Sequence, residues 1–223
     1  MTLILTSDFP VTISDVVVQR LRRAAARPRV AWIPPLTSTG HAHFAAAEVA
    51  FRDLGVSSLE YCDIDEEPNE TQLSALSQYD AVYLTGGEPL QFRHNILKCN
   101  LVDHLRECLA TDRLVIAASG GAMQLTPNLS LFRLLTNAVD EVLDERAAYD
   151  AMGAVGHEIL PHLNRHSGGF LGEVDRYSQG IGIDILGIED GAVVIHEADG
   201  REHYAGRVLR FRRGVRTIID GVA

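Results

Sequence analysis

Cysteine is scarce in this 223-residue chain: Cys62, Cys99 and Cys108 are odd in number and have no close spacing, which argues against a disulfide framework and against a zinc knuckle. A run of about 18 apolar residues, the minimum for crossing a bilayer, is also missing. The opening MTLILTSDFP carries neither a cationic leader nor a long apolar stretch before a small-residue cleavage site, so a cytoplasmic location is expected. Positive charge is in deficit. With 20 Lys and Arg against 30 Asp and Glu, the net charge of −10 repels a phosphate backbone, which disfavours nucleic acid as a partner. The one basic cluster, Arg20, Arg22, Arg23, Arg27 and Arg29, sits near the end of an expected helix, where cations complement the negative dipole end. Repeats, low-complexity segments and flexible linkers are lacking, and 223 residues at 46% hydrophobic content suit one domain over 1–223.

Short apolar runs rich in Val, Ile and Leu do recur, at Met1–Leu5, Arg29–Pro34, Ser58–Tyr61, Ala81–Leu84 and Leu114–Ala117. Between them lie helix-length stretches at Asp15–Ala26, Ala42–Leu54, Thr71–Gln78, Pro89–Asn100 and Val102–Ala110. Near-continuous apolar runs suit strands buried on both faces of a parallel sheet, so the expected class is α/β. Beyond Ala148 the pattern changes: Ile159–Pro161, Ile181–Ile188, Ala192–His196 and Val208–Ile219 are separated by Gly, Asp and Asn turns, which suggests mixed strands at the C-terminal sheet edge.

Chemistry is concentrated in Leu114-Val-Ile-Ala-Ala-Ser119-Gly-Gly-Ala-Met123, an apolar strand running into a small-residue turn and then a helix-competent segment. A serine there is lifted above the strand end as a nucleophile, although Ala117 stands where a G-x-S-x-G elbow has its first glycine. On pattern alone a structural serine is about as good a reading. Leu84-Thr-Gly86-Gly87-Glu88-Pro89 also leaves a buried strand for a helix, so a parallel sheet brings it to the same carboxyl edge. Amides of Gly86 or Gly87 and of Gly120 can then form an oxyanion hole. For the base, His162 in Ile159-Leu-Pro-His-Leu-Asn164 lies at the end of a short strand behind a proline, with His157 and His166 as rivals. His157 and His162 are five apart with Pro161 between them, unlike a zinc helix, so no metal or other cofactor is expected.

These residues resemble the peptidase E and cyanophycinase family of serine peptidases. The resemblance rests on Gly86-Gly87 after a strand, on Ser119-Gly-Gly-Ala122 where the family favours S-A-G-A, and on Pro161-His162 after Asp150-Ala-Met-Gly153. It implies a class I glutamine amidotransferase-like fold, a three-layer sandwich around a mostly parallel central sheet. It further implies Ser119 as nucleophile, His162 as base and Gly87 and Gly120 as oxyanion donors. The family's acid lies between serine and histidine, where Asp140 is the choice and Glu141, Asp144 and Glu145 are alternatives. The implied activity is hydrolysis of short peptides, as by a dipeptidase, by a chain that is a monomer or a homodimer. Aspartate recognition calls for an arginine, but the family's Gly-Glu-Thr-Arg segment corresponds to Gly172-Glu173-Val174-Asp175, leaving Arg176 or Arg165 as substitutes and strict aspartyl specificity in doubt. Two other readings stand beside this one: an esterase of similar triad order, and a catalytically silent binding protein on the same fold.

Overall fold

In the computed structural model, residues 2–8, 14–111 and 113–220 are described; Met1, the first residue of the first expected strand, lies outside them. The first half alternates as its apolar runs require: β1 (Thr2–Thr6), α1 (Ser14–Ala24), β2 (Arg29–Ile33), α2 (Thr37–Asp53), β3 (Ser58–Tyr61), α3 (Glu70–Ser74), β4 (Ala81–Leu84), α4 (Pro89–Lys98), α5 (Leu101–Ala110), β5 (Leu114–Ala118) and α6 (Gly120–Gln124). Helix α2 starts five residues before the apolar pattern does, because Thr37 anchors its first turn by donating its amide to Asp65 and its hydroxyl to Asp63. The stretch expected as one helix over Thr71–Gln78 breaks into α3, capped by Asn69 accepting from the Gln72 amide, and a 3-10 turn over Leu76–Gln78.

Strands β3, β2, β4, β5 and β1 lie side by side, all parallel. The second half supplies α7 (Val139–Asp144), β6 (Glu158–Leu160), α8 (Gly168–Ile181), β7 (Ile185–Ile188), β8 (Val193–His196), β9 (Glu202–Ala205), β10 (Arg207–Arg212) and β11 (Val215–Asp220). Antiparallel β8 and β9 extend the central sheet beyond β1, completing seven strands. The other four form a separate sheet in the order β11-β10-β7-β6, so the C-terminal strands are more than the edge additions expected. The apolar run expected as one strand over Val208–Ile219 is a hairpin, folded at Arg213 and Gly214, both at positive φ as a tight two-residue turn demands. Ile181 closes α8 rather than opening β7, since Gly182 at φ 71° ends the helix in the left-handed conformation. Four glycines within it, Gly168, Gly169, Gly172 and Gly180, hide α8 from a propensity reading; the Ser167 cap and burial of Val174 and Tyr177 hold it instead.

Alternation along the central strands divides the core. Ile4, Val30, Trp32 and Ile116 pack with Val17 and Leu21 of α1 and Phe51 of α2 on one face. Leu3, Leu5, Ile33 and Val115 face the other way, onto α3, α4 and α5 and onto Ile159, Leu186 and Val208 of the second sheet. Helices α7 and α8 cover the outer side of that sheet around Tyr177, Ile185 and Phe211.

Candidate active site

The turn after β5 is forced by close approach. Ser119 sits at φ 47° and ψ −117°, a conformation that costs on the order of 1–3 kcal/mol in a non-glycine residue and persists only where its surroundings dictate it. Its amide donates to Thr6 O of β1 at 2.9 Å, and its carbonyl accepts from Met123 at 3.1 Å, so strand and helix each hold one side of the elbow. Side chains beside it are sterically excluded: a Cβ on Gly120 would meet Gly87 O at 2.1 Å, and one on Gly121 would meet the carbonyls of Thr85 and Leu84 at 2.4 and 2.5 Å. The loop after β4 therefore lies directly against the elbow, bringing Gly87 (φ 144°) and Gly120 together beside Ser119. As the first residue of α6, Gly120 has an amide that no intrahelical carbonyl can reach.

His162 leaves β6 in a left-handed conformation, φ 56°. Its amide donates to the Ser7 hydroxyl at 2.9 Å, and Ser7 in turn donates to Ile188 O at 2.6 Å, which ties the end of β1 to both β6 and β7. With the backbone so fixed, the imidazole Nε2 stands 3.0 Å from Ser119 Oγ. On its far side Nδ1 lies 2.6 Å from Asp190 Oδ1. Five strands follow His162 in the chain, which is not the terminal histidine placement that an esterase of the α/β-hydrolase type has.

Asp190, between β7 and β8, is the carboxylate behind the histidine, and Asp140 is not. Asp140 lies on α7 with its side chain 87% exposed, 4.0 Å from Arg176. Glu141 and Glu145 pair with Arg133, and Asp144 is the last residue of α7. The expectation placed the acid between serine and histidine along the chain, whereas the chain returns from the second sheet to the first after the histidine and delivers a carboxylate there. Asn164 clamps that turn reciprocally, accepting from the Asp190 amide at 2.9 Å and donating to Oδ2 at 3.2 Å, while Arg165 Nε donates to the same oxygen. Partial burial raises the Asp190 carboxyl, but hydrogen bonds from His162, Arg165 and Asn164 outweigh it and hold the group below the usual aspartate range. Asp190 is thus an anion facing Nδ1, which keeps the Nδ1 proton and leaves the Nε2 lone pair toward serine.

Neither arginine expected to bind substrate lines the cavity at Ser119. Arg165 is committed to Asp190, and Arg176 is an exposed partner of Glu173 at 3.0 Å. His166, a rival base, donates from Nε2 to Pro161 O (3.0 Å) and stacks on Phe170. His157 lies elsewhere, its Nε2 3.1 Å from His196 Nε2, with Glu202 3.4 Å from His196 Nδ1. Ligand atoms of these three residues fall within 4.8 Å of one another, making them the residues best placed to hold a metal ion among those described, away from Ser119.

The family model of Peptidase family S51 matches residues 5–202. The chain belongs to that family. It is 26% identical over 137 residues to an uncharacterized peptidase of Listeria monocytogenes, covering 60% of this chain and 65% of the relative. A second uncharacterized peptidase, from Listeria innocua, is 25% identical over the same length and covers 64% of that protein, so the chain spans a little under two thirds of these relatives. Among solved structures, a peptidase from an acI-B1 Actinobacterium superposes with a TM-score of 0.77 at 13% identity, covering 100% of this chain and 95% of the other. A Listeria monocytogenes protein provisionally assigned as a peptidase E gives 0.65 at 21% identity, covering 95% and 98%. These likenesses establish a mixed α/β fold built on a mostly parallel sheet, as expected from the apolar runs. No described helix is long and apolar enough to cross a membrane.

Proposed function

We propose that this chain is a serine peptidase that hydrolyses short peptides in the cytoplasm, with Ser119 as nucleophile, His162 as base and Asp190 as the acid that orients and charges-compensates the imidazole. The observation that carries this reading is the continuous contact from Ser119 Oγ to His162 Nε2 (3.0 Å) and from His162 Nδ1 to Asp190 (2.6 Å). As Ser119 Oγ attacks the scissile carbonyl carbon, its proton passes to Nε2, and the amides of Gly87 and Gly120 receive the charge that develops on the carbonyl oxygen. Collapse of the tetrahedral adduct breaks the C–N bond, with Nε2–H protonating the leaving amine. Water then attacks the ester, giving its proton to Nε2, and the acid product leaves as Ser119 recovers a proton. These steps use groups of the chain together with solvent water, so the reading calls for no cofactor.

Hydrolysis of a panel of dipeptides and tripeptides, N-terminal aspartyl ones included, by wild type and by Ser119→Ala tests the proposal. Cleavage by the wild type that disappears in the variant supports it; a folded wild type that cleaves nothing favours the silent binding protein.

A further inference from the structure

A cavity of about 120 Å³ opens on Ser119 and His162, and its walls are Met123 of α6, Leu131, Phe132 and Leu135 of the 3-10 turn over Ser130–Leu135, Leu160 of β6 and Phe170 of α8. Among the described residues its only other ionisable wall is His166, which burial pushes toward the neutral form and which stacks on Phe170 with centroids 4.5 Å apart. No lysine or arginine lines it among the described residues. The cations on neighbouring elements are already engaged: Arg133 with Glu141 and Glu145, Arg165 with Asp190, Arg176 with Glu173.

From this we infer that the peptide side chain adjoining the scissile bond is aliphatic, of leucine, isoleucine or methionine size, and that an aspartyl side chain is rejected. The inference rests on the peptidase reading and gives it a substrate class. Size alone does not make the choice. Roughly four water volumes, at about 30 Å³ each, accommodate the four side-chain heavy atoms of leucine or methionine, and aspartate has four as well. Charge decides, because a carboxylate in this cavity gives up its hydration without gaining a cation or a set of donors, while an aliphatic group gains burial.

The test separates this inference from the reading beneath it. A simple alkyl fluorophosphonate, which carries no peptide side chain, reports whether Ser119 is nucleophilic; kcat/KM is measured in parallel on dipeptides with Leu, Met, Phe, Asp or Arg on either side of the bond. Labelling of Ser119 together with a leucyl or methionyl preference over aspartyl of about 100-fold or more is the expected result. Labelling with equal or faster cleavage of the aspartyl substrates overturns the inference and leaves the peptidase reading intact. Absence of both labelling and cleavage overturns the two together. Leu135 is half exposed at the cavity rim, so Leu135→Arg is compatible with folding and supplies the missing cation. It is expected to narrow the leucyl-to-aspartyl ratio at least 10-fold, and an unchanged ratio counts against the cavity as the site of selection.

Discussion

Asp190→Asn probes the carboxylate behind His162 at nearly constant shape. Two groups, Arg165 Nε and Asn164 Nδ2, donate to the Oδ2 side of Asp190, while only His162 Nδ1 meets Oδ1. An asparagine has one acceptor oxygen, and two donors outcompete one for it, so its amide nitrogen turns toward His162. That nitrogen donates to Nδ1, moves the ring proton to Nε2 and leaves Ser119 Oγ facing a donor that cannot take its proton. Loss of the imidazolium's compensating charge adds to the effect. In Ser-His-Asp sites the equivalent exchange costs about 10⁴ in kcat, or about 5.5 kcal/mol of barrier. We expect kcat/KM on the best peptide substrate to fall by about 10³ to 10⁴ in Asp190→Asn, with little change in thermal midpoint. Asp140→Asn, altering a side chain 87% exposed on α7, is expected to stay within about 2-fold of wild type. Near-normal activity in Asp190→Asn with a large loss in Asp140→Asn refutes the argument.

Acid should destabilise the fold over a defined window. His157 is pushed down to about 4 by burial and by neighbouring His196, and His196 and His166 are lowered too. Since the native state refuses protons that the unfolded chain accepts below about pH 6.5, stability is expected to decline as pH falls from about 6.5 to about 4, His157 alone contributing on the order of 3 kcal/mol by pH 4; urea melts at pH 7.5 and pH 4 measure it. Asp190 acts lower still, its stabilisation being present above the unfolded aspartate value and lost as pH drops toward its depressed native one. Glu158 is fully buried and bonded to Arg146 at 2.6 Å and to Tyr177, so Arg146→Met strands a carboxylate and should cost about 3 kcal/mol by denaturant melting. Ser7→Ala leaves the partly buried His162 amide without its acceptor; about 1 kcal/mol of stability and roughly 10-fold in kcat should be lost, the latter read against an unchanged KM.

The elbow was legible because local chemistry specifies it: β4 and β5 are continuous apolar runs, and small residues at 120 and 121 are demanded by carbonyls 2.1–2.5 Å from where a Cβ would stand. Pro161-His162 at a strand end was legible for the same reason. Asp190 was not, since Asp-Gly at 190–191 is the ordinary mark of a turn between strands. Its distinction comes from bonds to residues 26 and 28 positions away, which no local pattern encodes. Asn164 offered a faint signal, a short polar residue two after the histidine, whose meaning appears only once it clamps the turn. Helix α8 was obscured by its glycines and is held by tertiary burial, and the cavity wall it contributes was obscured with it.

The three residues come from three places that only tertiary packing unites. Ser119 ends a strand of the central sheet, His162 ends a strand of the second sheet, and Asp190 lies on the segment that carries the chain from β7 in one sheet to β8 in the other. Misalignment of the two sheets therefore moves His162 and Asp190 together relative to Ser119. Ser7 opposes this slip, because one buried hydroxyl at the end of β1 accepts from His162 and donates to Ile188, two residues before Asp190. The 3.0 Å contact between serine and histidine is thus a readout of sheet-to-sheet registry, and changes in the interface formed by Leu3, Ile159, Leu186 and Val208 should be felt at Ser119 without touching it.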